Sequence, residues 1–212
     1  MPKQSTVKSP ERKLGRPLGK SSDETKKRLI QAAAVHFNAQ SFGEVSLSKI
    51  AKSAGMTGAA IYNHFGSKEE LFIETVKQHI QAGIHVMSKA SQIQGSWKQR
   101  LNNMLTVIGE VQKHENRFPL ITSVAQARMV REPEKYAEII DLRNEHSLIF
   151  QSLVADAIAA GDFPESIDIV IAGDLLMALT VNGIRTVSFY HPEPRDTEQI
   201  IAAVRILLGL NP

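Results

Sequence analysis

Apolar positions recur at helical spacing from Leu29 onward. Leu29, Ile30, Ala33, Ala34 and Phe37 place one apolar stripe on a first helix, which stops before Ser41-Phe42-Gly43. An S-x-x-E box, Ser21 to Glu24, supplies side-chain partners for the orphan amides at its start. Leu47, Ile50, Ala51 and Ala54 fall at i, i+3, i+4 and i+7 on a second, short helix that Ser46 can cap. Gly55 permits the positive φ of a tight turn, and Thr57 opens a third short helix ending near His64. A further box, Ser67 to Glu70, opens a long fourth helix through Leu71, Val76, Ile80 and Ile84 to about Met87, and Gly95 separates it from the next segment.

Helical patterns continue at about 96–113, 118–130, 133–160, 166–190 and 195–209, with Pro119, Pro133, Gly161, Pro164, Pro192 and Pro194 at most junctions. No hairpin signal or alternating apolar run stands out and no internal repeat is present, so the spacing predicts an all-α chain of about nine helices. The expected organisation is an arm at 1–20, flexible because it is rich in Lys, Ser, Pro and Gly, a three-helix head at 21–66, and a larger helical domain at 67–212.

Charge sharpens that division. Residues 1–68 hold 12 Lys/Arg against 4 Asp/Glu, whereas residues 69–212 hold 13 against 18. The basic third suits a polyanion, because neutralising phosphates releases condensed counterions, and the acidic remainder does not share that partner. At 212 residues and 42% hydrophobic content the chain can bury a sizeable core. It has no cysteine, which excludes disulfides, thiol chemistry and cysteine-ligated zinc. Neither a signal-peptide run nor a stretch approaching the roughly 20 apolar residues of a membrane span is visible. A cytoplasmic protein without a membrane partner is expected.

The segment SLSKIAKSAGMTGAAIYNHFGSK, Ser46 to Lys68, sets two short amphipathic helices around a glycine turn inside the basic third. In such an arrangement the second helix can enter the major groove while the first braces it. A plain helical hairpin is the bland alternative. The run AGMTGAAIYNHFGSKEEL closely resembles the DNA-binding signature of the tetracycline-repressor (TetR) family, over roughly residues 22–72.

That resemblance implies double-stranded operator DNA as partner and residues for each task. Thr57 stands at the start of the recognition helix, its hydroxyl capping the helix or bonding phosphate. Tyr62 and His64 match a Tyr-x-His whose polar tips reach phosphates, with a packed aromatic and a surface imidazole as the alternatives. Lys68 matches a phosphate-holding lysine at the next helix's first turn. Ser46 and Ser48 suit phosphate, Ser46 equally a cap. Gly58, Ala59 and Ala60 offer only backbone and methyl groups, so base reading falls to Asn63, whose amide fits adenine, and to thymine-methyl contacts; an exposed asparagine touching phosphate alone is the alternative. In the arm, Gly15-Arg16-Pro17 flanked by Arg12 and Lys13 suits a narrow minor groove or is simply solvated.

The resemblance also implies a homodimer and a small-molecule effector. The last helix carries Ile200, Ile201, Val204, Leu207 and Leu208 on a broad stripe, fit for a dimer interface or an ordinary core. Bulky, adaptable residues between helices 4 and 8 are candidate pocket lining: Met87, Trp97, Met104, Phe118, Met129, Phe150 and Met177. Arg143 and His146, three apart, either face inward to hold an acidic group or lie on a solvated face. The ending SFYHPEP before the final helix is similar to family members that respond to coenzyme A thioesters.

The resulting expectation is a ligand-responsive regulator, by default a repressor, released from a palindromic operator by a small hydrophobic effector. Its rival is a helical lipid or acyl-CoA binding protein without specific DNA function, which leaves the basic head unexplained. No catalytic constellation, cofactor loop or metal spacing is present: His79 and His85 stand six apart, not the i, i+4 of a helical metal pair.

Overall fold

The computed structural model describes residues 18–114, 120–191 and 193–210, and among these every regular element is helical. The head comprises α1 (Leu18–Ala39), α2 (Leu47–Ser53) and α3 (Gly58–Tyr62). The body follows as α4 (Lys68–Ser91), α5 (Trp97–His114), α6 (Leu120–Arg131) and α7 (Ala137–Ala159). Next come α8 (Ile169–Met177), a π-helical turn Ala178–Gly183, α9 (Ile184–Tyr190) and α10 (Pro194–Leu207). Counting α8, the π turn and α9 as one unbroken rod gives nine helices among the described residues.

Most junctions follow the expected local chemistry. Ser67 accepts the Glu70 amide while Glu70 reaches back to the Gly66 amide, so the second box does open α4. Asp168 caps α8 by accepting the Ile171 amide. The first box does not start its helix: α1 begins at Leu18, inside the stretch read as arm, leaving Ser21 a turn within. Residues 133–136 form a turn rather than the start of α7.

The head core and the base of the body are one cluster. Phe37 stands edge-on to Phe72 at 5.0 Å, Phe42 packs on both, and Ile50, Ala51 and Ile61 join them from α2 and α3. Ile121, Ala125, Tyr136 and Ile139 of the body belong to the same cluster. A second core gathers Leu101, Met104 and Leu105 of α5 with Phe150 and Leu153 of α7. Helix α4 contributes Leu71, Phe72 and Val76 to the first core and Met87 and Ala90 to the second, so it runs through both regions as a shared strut.

Helix α8 lies against α7 with almost no gap, since a Cβ on Gly173 would stand 2.9 Å from the Gln151 backbone. Ser147 donates to Asp174 across this contact, and Arg143 meets the same carboxylate at 2.9 Å. The outer side of the rod is apolar and uncovered: Val170, Ile171, Leu175, Val187 and Tyr190 are all exposed. The rod also corrects a reading of the sequence, because Ile169–Ser188, 20 residues long, is apolar enough by length and composition to cross a membrane. Only the π turn makes it continuous, and it carries Asp174 and Arg185.

Candidate nucleic-acid interface and ligand cavity

The turn between α2 and α3 is a glycine-based helix stop. Gly55 takes φ +70, its amide bonds the Lys52 carbonyl at 3.0 Å, and the Met56 amide bonds the Ala51 carbonyl at 2.8 Å. Arg28 of α1 caps the same end through the Ala54 carbonyl, and the His36 ring meets the Ser53 hydroxyl at 2.9 Å. These ties hold α2 and α3 rigidly on α1.

Gly58 sits beside α2, where a Cβ would lie 3.9 Å from the Ser48 hydroxyl, so the opening turns of the two short helices meet. Thr57 and Ser46 take extended N-cap backbone geometry, but neither makes a side-chain cap bond, which disposes of the capping alternative for both. Along α3 and its C-cap, Ala59, Tyr62 and Asn63 face solvent at i, i+3 and i+4, and Tyr62 is 64% exposed. Ala60 is half-buried behind them and Ile61 fully buried, which orients that face outward. His64 is half-buried, 6.4 Å ring to ring from Phe65. Arg12, Arg16 and Phe118 lie outside the described residues.

A cavity of about 450 Å³ opens among α4, α5, α6, α7 and the π turn with α9. Met87, Met129, Arg143, His146 and Met177 line it, as the sequence suggested; Arg143 is half-exposed with its guanidinium on Asp174, and His146 is half-buried. Trp97, Met104 and Phe150 do not line it; they are buried in the second core, with the Trp97 indole donating to Asp162 at 2.7 Å. Among the ionisable lining residues, two escaped the sequence reading, His79 of α4 and Arg185 of α9. Burial first, then the Arg185 charge, pushes His79 down to about 4. Burial, then Arg185 and Arg143, does the same to His146.

The family model "Bacterial regulatory proteins, tetR family" matches residues 29–75, which span the helix-turn-helix and the first turns of α4. Residues 29–75 thus carry a DNA-binding segment of TetR-family type. Over 184 residues it is 24% identical to the HTH-type transcriptional regulator SrpR of Pseudomonas putida, covering 82% of this chain and 81% of that one. It is 42% identical over 53 residues to an uncharacterized HTH-type regulator, YdgC, of Bacillus subtilis; this match covers 25% of the chain but only 27% of that protein's length. A crystal structure of Bacillus subtilis FadR in complex with stearoyl-CoA shares the fold at TM-score 0.65 and 17% identity, covering 84% of this chain and 96% of that one.

Two assignments made from sequence change. The Lys68 ammonium is taken up by three carbonyls of the α1–α2 connection, Phe42 at 2.8 Å, Gly43 at 3.2 Å and Val45 at 3.0 Å, with the Phe42 ring 4.8 Å away. It clamps the head's loop to α4 in place of reaching outward for phosphate. Ile201 and Val204 face inward, Ile201 against α5, where a Cβ on Gly109 would meet it at 3.3 Å. Ile200 and Leu208 are half-buried, packed partly on the same core, and Leu207, 76% exposed, is the most open of the five stripe residues.

Proposed function

We propose that this chain is a dimeric repressor that binds a palindromic operator through α3 and is released by a small hydrophobic effector. The carrying observation is the outward face Ala59, Tyr62 and Asn63 on a braced short helix within the segment that holds the basic surplus. Ser46, Ser48, Thr57, Tyr62 and His64 set register on phosphates, and Asn63 with the Ala59 methyl reads bases. Asn63→Ala should relax preference at one operator position by about 1–3 kcal/mol, read by competition between single-base operator variants; unchanged preference would remove Asn63 from base reading.

A second copy covers the exposed apolar face of α8, α9 and α10, including Leu175, Leu207 and Tyr190, and a two-fold dimer sets two recognition helices about 34 Å apart. The effector occupies the cavity. Because α4 lines that cavity and also enters the head core, a ligand that prefers a shifted α4 biases the spacing of the two heads. Stearoyl-CoA in the FadR complex supports an apolar effector in a fold of this kind. Blocking a promoter needs no further surface, which favours repression, and the site of action is the cytoplasm.

Fluorescence anisotropy on a duplex fragment separates this reading from a helical lipid-binding protein without DNA function. Affinity should fall steeply and linearly on logarithmic axes between about 50 and 200 mM salt, one counterion term per phosphate contacted. Absence of DNA binding at the lower salt would favour the lipid-binding alternative.

A further inference from the structure

We infer that the effector cavity selects an amphiphile carrying one acidic group, held at the Arg185 and His146 end of an otherwise apolar chamber. This rests on the reading of the cavity as the effector site. The apolar part of the wall comes from Val76, Ile80, Val86, Met87 and Ile108 among others, which suits a hydrocarbon body. The ionisable part is one-sided among the described residues: Arg143, Arg185, His79 and His146 line the chamber, and none of the described lining residues is Asp or Glu.

Four further observations give that imbalance a direction. The field of Arg185 reaches both imidazoles, since after burial it is the next cause of their lowered pKa. With both imidazoles neutral, the positive charge of the described lining residues rests on the two guanidinium groups. His146 Nε2 is buried and has no hydrogen-bond partner, a cost of the kind that a ligand oxygen removes. With its proton on Nε2, the imidazole donates to a carboxylate or phosphate oxygen that the guanidinium also attracts. Arg143 meets Asp174 at 2.9 Å, a pair that holds α7 to α8.

Size narrows the body. About 450 Å³ holds on the order of fifteen water volumes, which suits a medium-length chain or a compact ring system. The same chamber should discriminate against cations, because an ammonium there meets two guanidinium groups and no carboxylate among the described lining residues.

The test is titration calorimetry of the full chain, without DNA, against four probes of one chain length: dodecanoate, dodecyl phosphate, dodecanol and dodecyltrimethylammonium. At least one of the two acids should bind saturably, one per chain, and about tenfold or more tightly than the alcohol, with the ammonium weakest. The tighter acid distinguishes carboxylate from phosphate. Arg185→Gln should erase the preference for acid while leaving dodecanol within about twofold, the signature of a charge contact and not of lost packing.

Gly83→Leu supplies a variant that does not rely on removing a charge. It fills the α4 wall, where a Cβ would stand 3.8 Å from the His146 ring, and improves helix propensity; it should abolish binding of all probes. Alcohol or ammonium binding as tightly as the tighter of the two acids, no saturable binding of any acid, or an acid preference that survives Arg185→Gln would each overturn the inference. None of these outcomes touches the DNA titration, so failure here is distinct from failure of the regulator reading.

Discussion

Leu175→Asp is expected to give a folded monomer that binds a palindromic duplex about 10²–10⁴-fold less tightly than the parent chain. The side chain is 65% exposed on α8, so a carboxylate there costs the isolated protomer little. Across a two-fold interface the substitution places a charge in the apolar contact twice, and loss of the second head removes the gain from bivalent attachment. Sedimentation velocity and anisotropy on the same preparations read both effects. Val204→Asp is the contrast: it buries the charge in the second core and should unfold the protomer before it separates a dimer. A Leu175→Asp chain that stays dimeric with parental DNA affinity would refute the assigned interface.

The second large effect is expected from Arg128→Ala. Glu69, at the first turn of α4, accepts from Arg128 Nη1 on both carboxylate oxygens, at 2.6 and 2.7 Å, and from the Tyr136 hydroxyl. The Arg128 guanidinium also lies 3.9 Å from the Phe42 ring centre in the head. One side chain of α6 therefore ties the body to the α1–α2 connection. Its loss leaves a largely buried carboxylate with only the more distant Lys135, at 3.8 Å, as cation, and should lower stability by about 2–3 kcal/mol, a figure reduced for the partial exposure of both groups. Denaturant unfolding at neutral pH reads this directly, and a shift below about 0.5 kcal/mol would show that the cluster is ornamental.

The same cluster fixes a sign for each pH limb. Burial raises the Glu69 pKa, but the hydrogen bonds from Tyr136 and Arg128 and the neighbouring cations bring it below the ordinary 4.5. Stability from this group is therefore full above about 4.5 and is lost as pH falls through the lower folded value. For Tyr136, burial and then its bond to Glu69 push the hydroxyl up to about 12 from 10, so its contribution is full below 10 and is lost as pH rises towards 12. Arg128→Ala should flatten the acid limb, where Glu69 loses the interaction that favours its charged form.

What was legible in the sequence was local. Gly55 between two apolar-striped segments specifies the turn because the positive φ and the two capping bonds lie within six residues. The Ser67 box is equally short-range. The illegible part depended on distant partners. Lys68 reads as a free cation until the Phe42, Gly43 and Val45 carbonyls, more than twenty residues away, are seen around it. The stripe on α10 shows that an apolar face exists but not which side meets α5 and which meets solvent, so Ile201 and Leu207 read alike.

Cavity lining followed the same rule. Residue size alone admitted Trp97, Met104 and Phe150, which fill the second core. Arg185 was missed because it faces His146 only through the continuous α8–π–α9 rod, and nothing in the sequence marks the π turn.

Selection of bound duplexes from random DNA by the full chain tests the central claim most directly. The account predicts enrichment of an inverted repeat whose half-site centres lie about 34 Å apart, or a multiple of that turn, with Asn63→Ala losing preference at one position in each half. Failure to enrich any sequence over the starting pool, or enrichment of a single half-site bound by one chain, would contradict it.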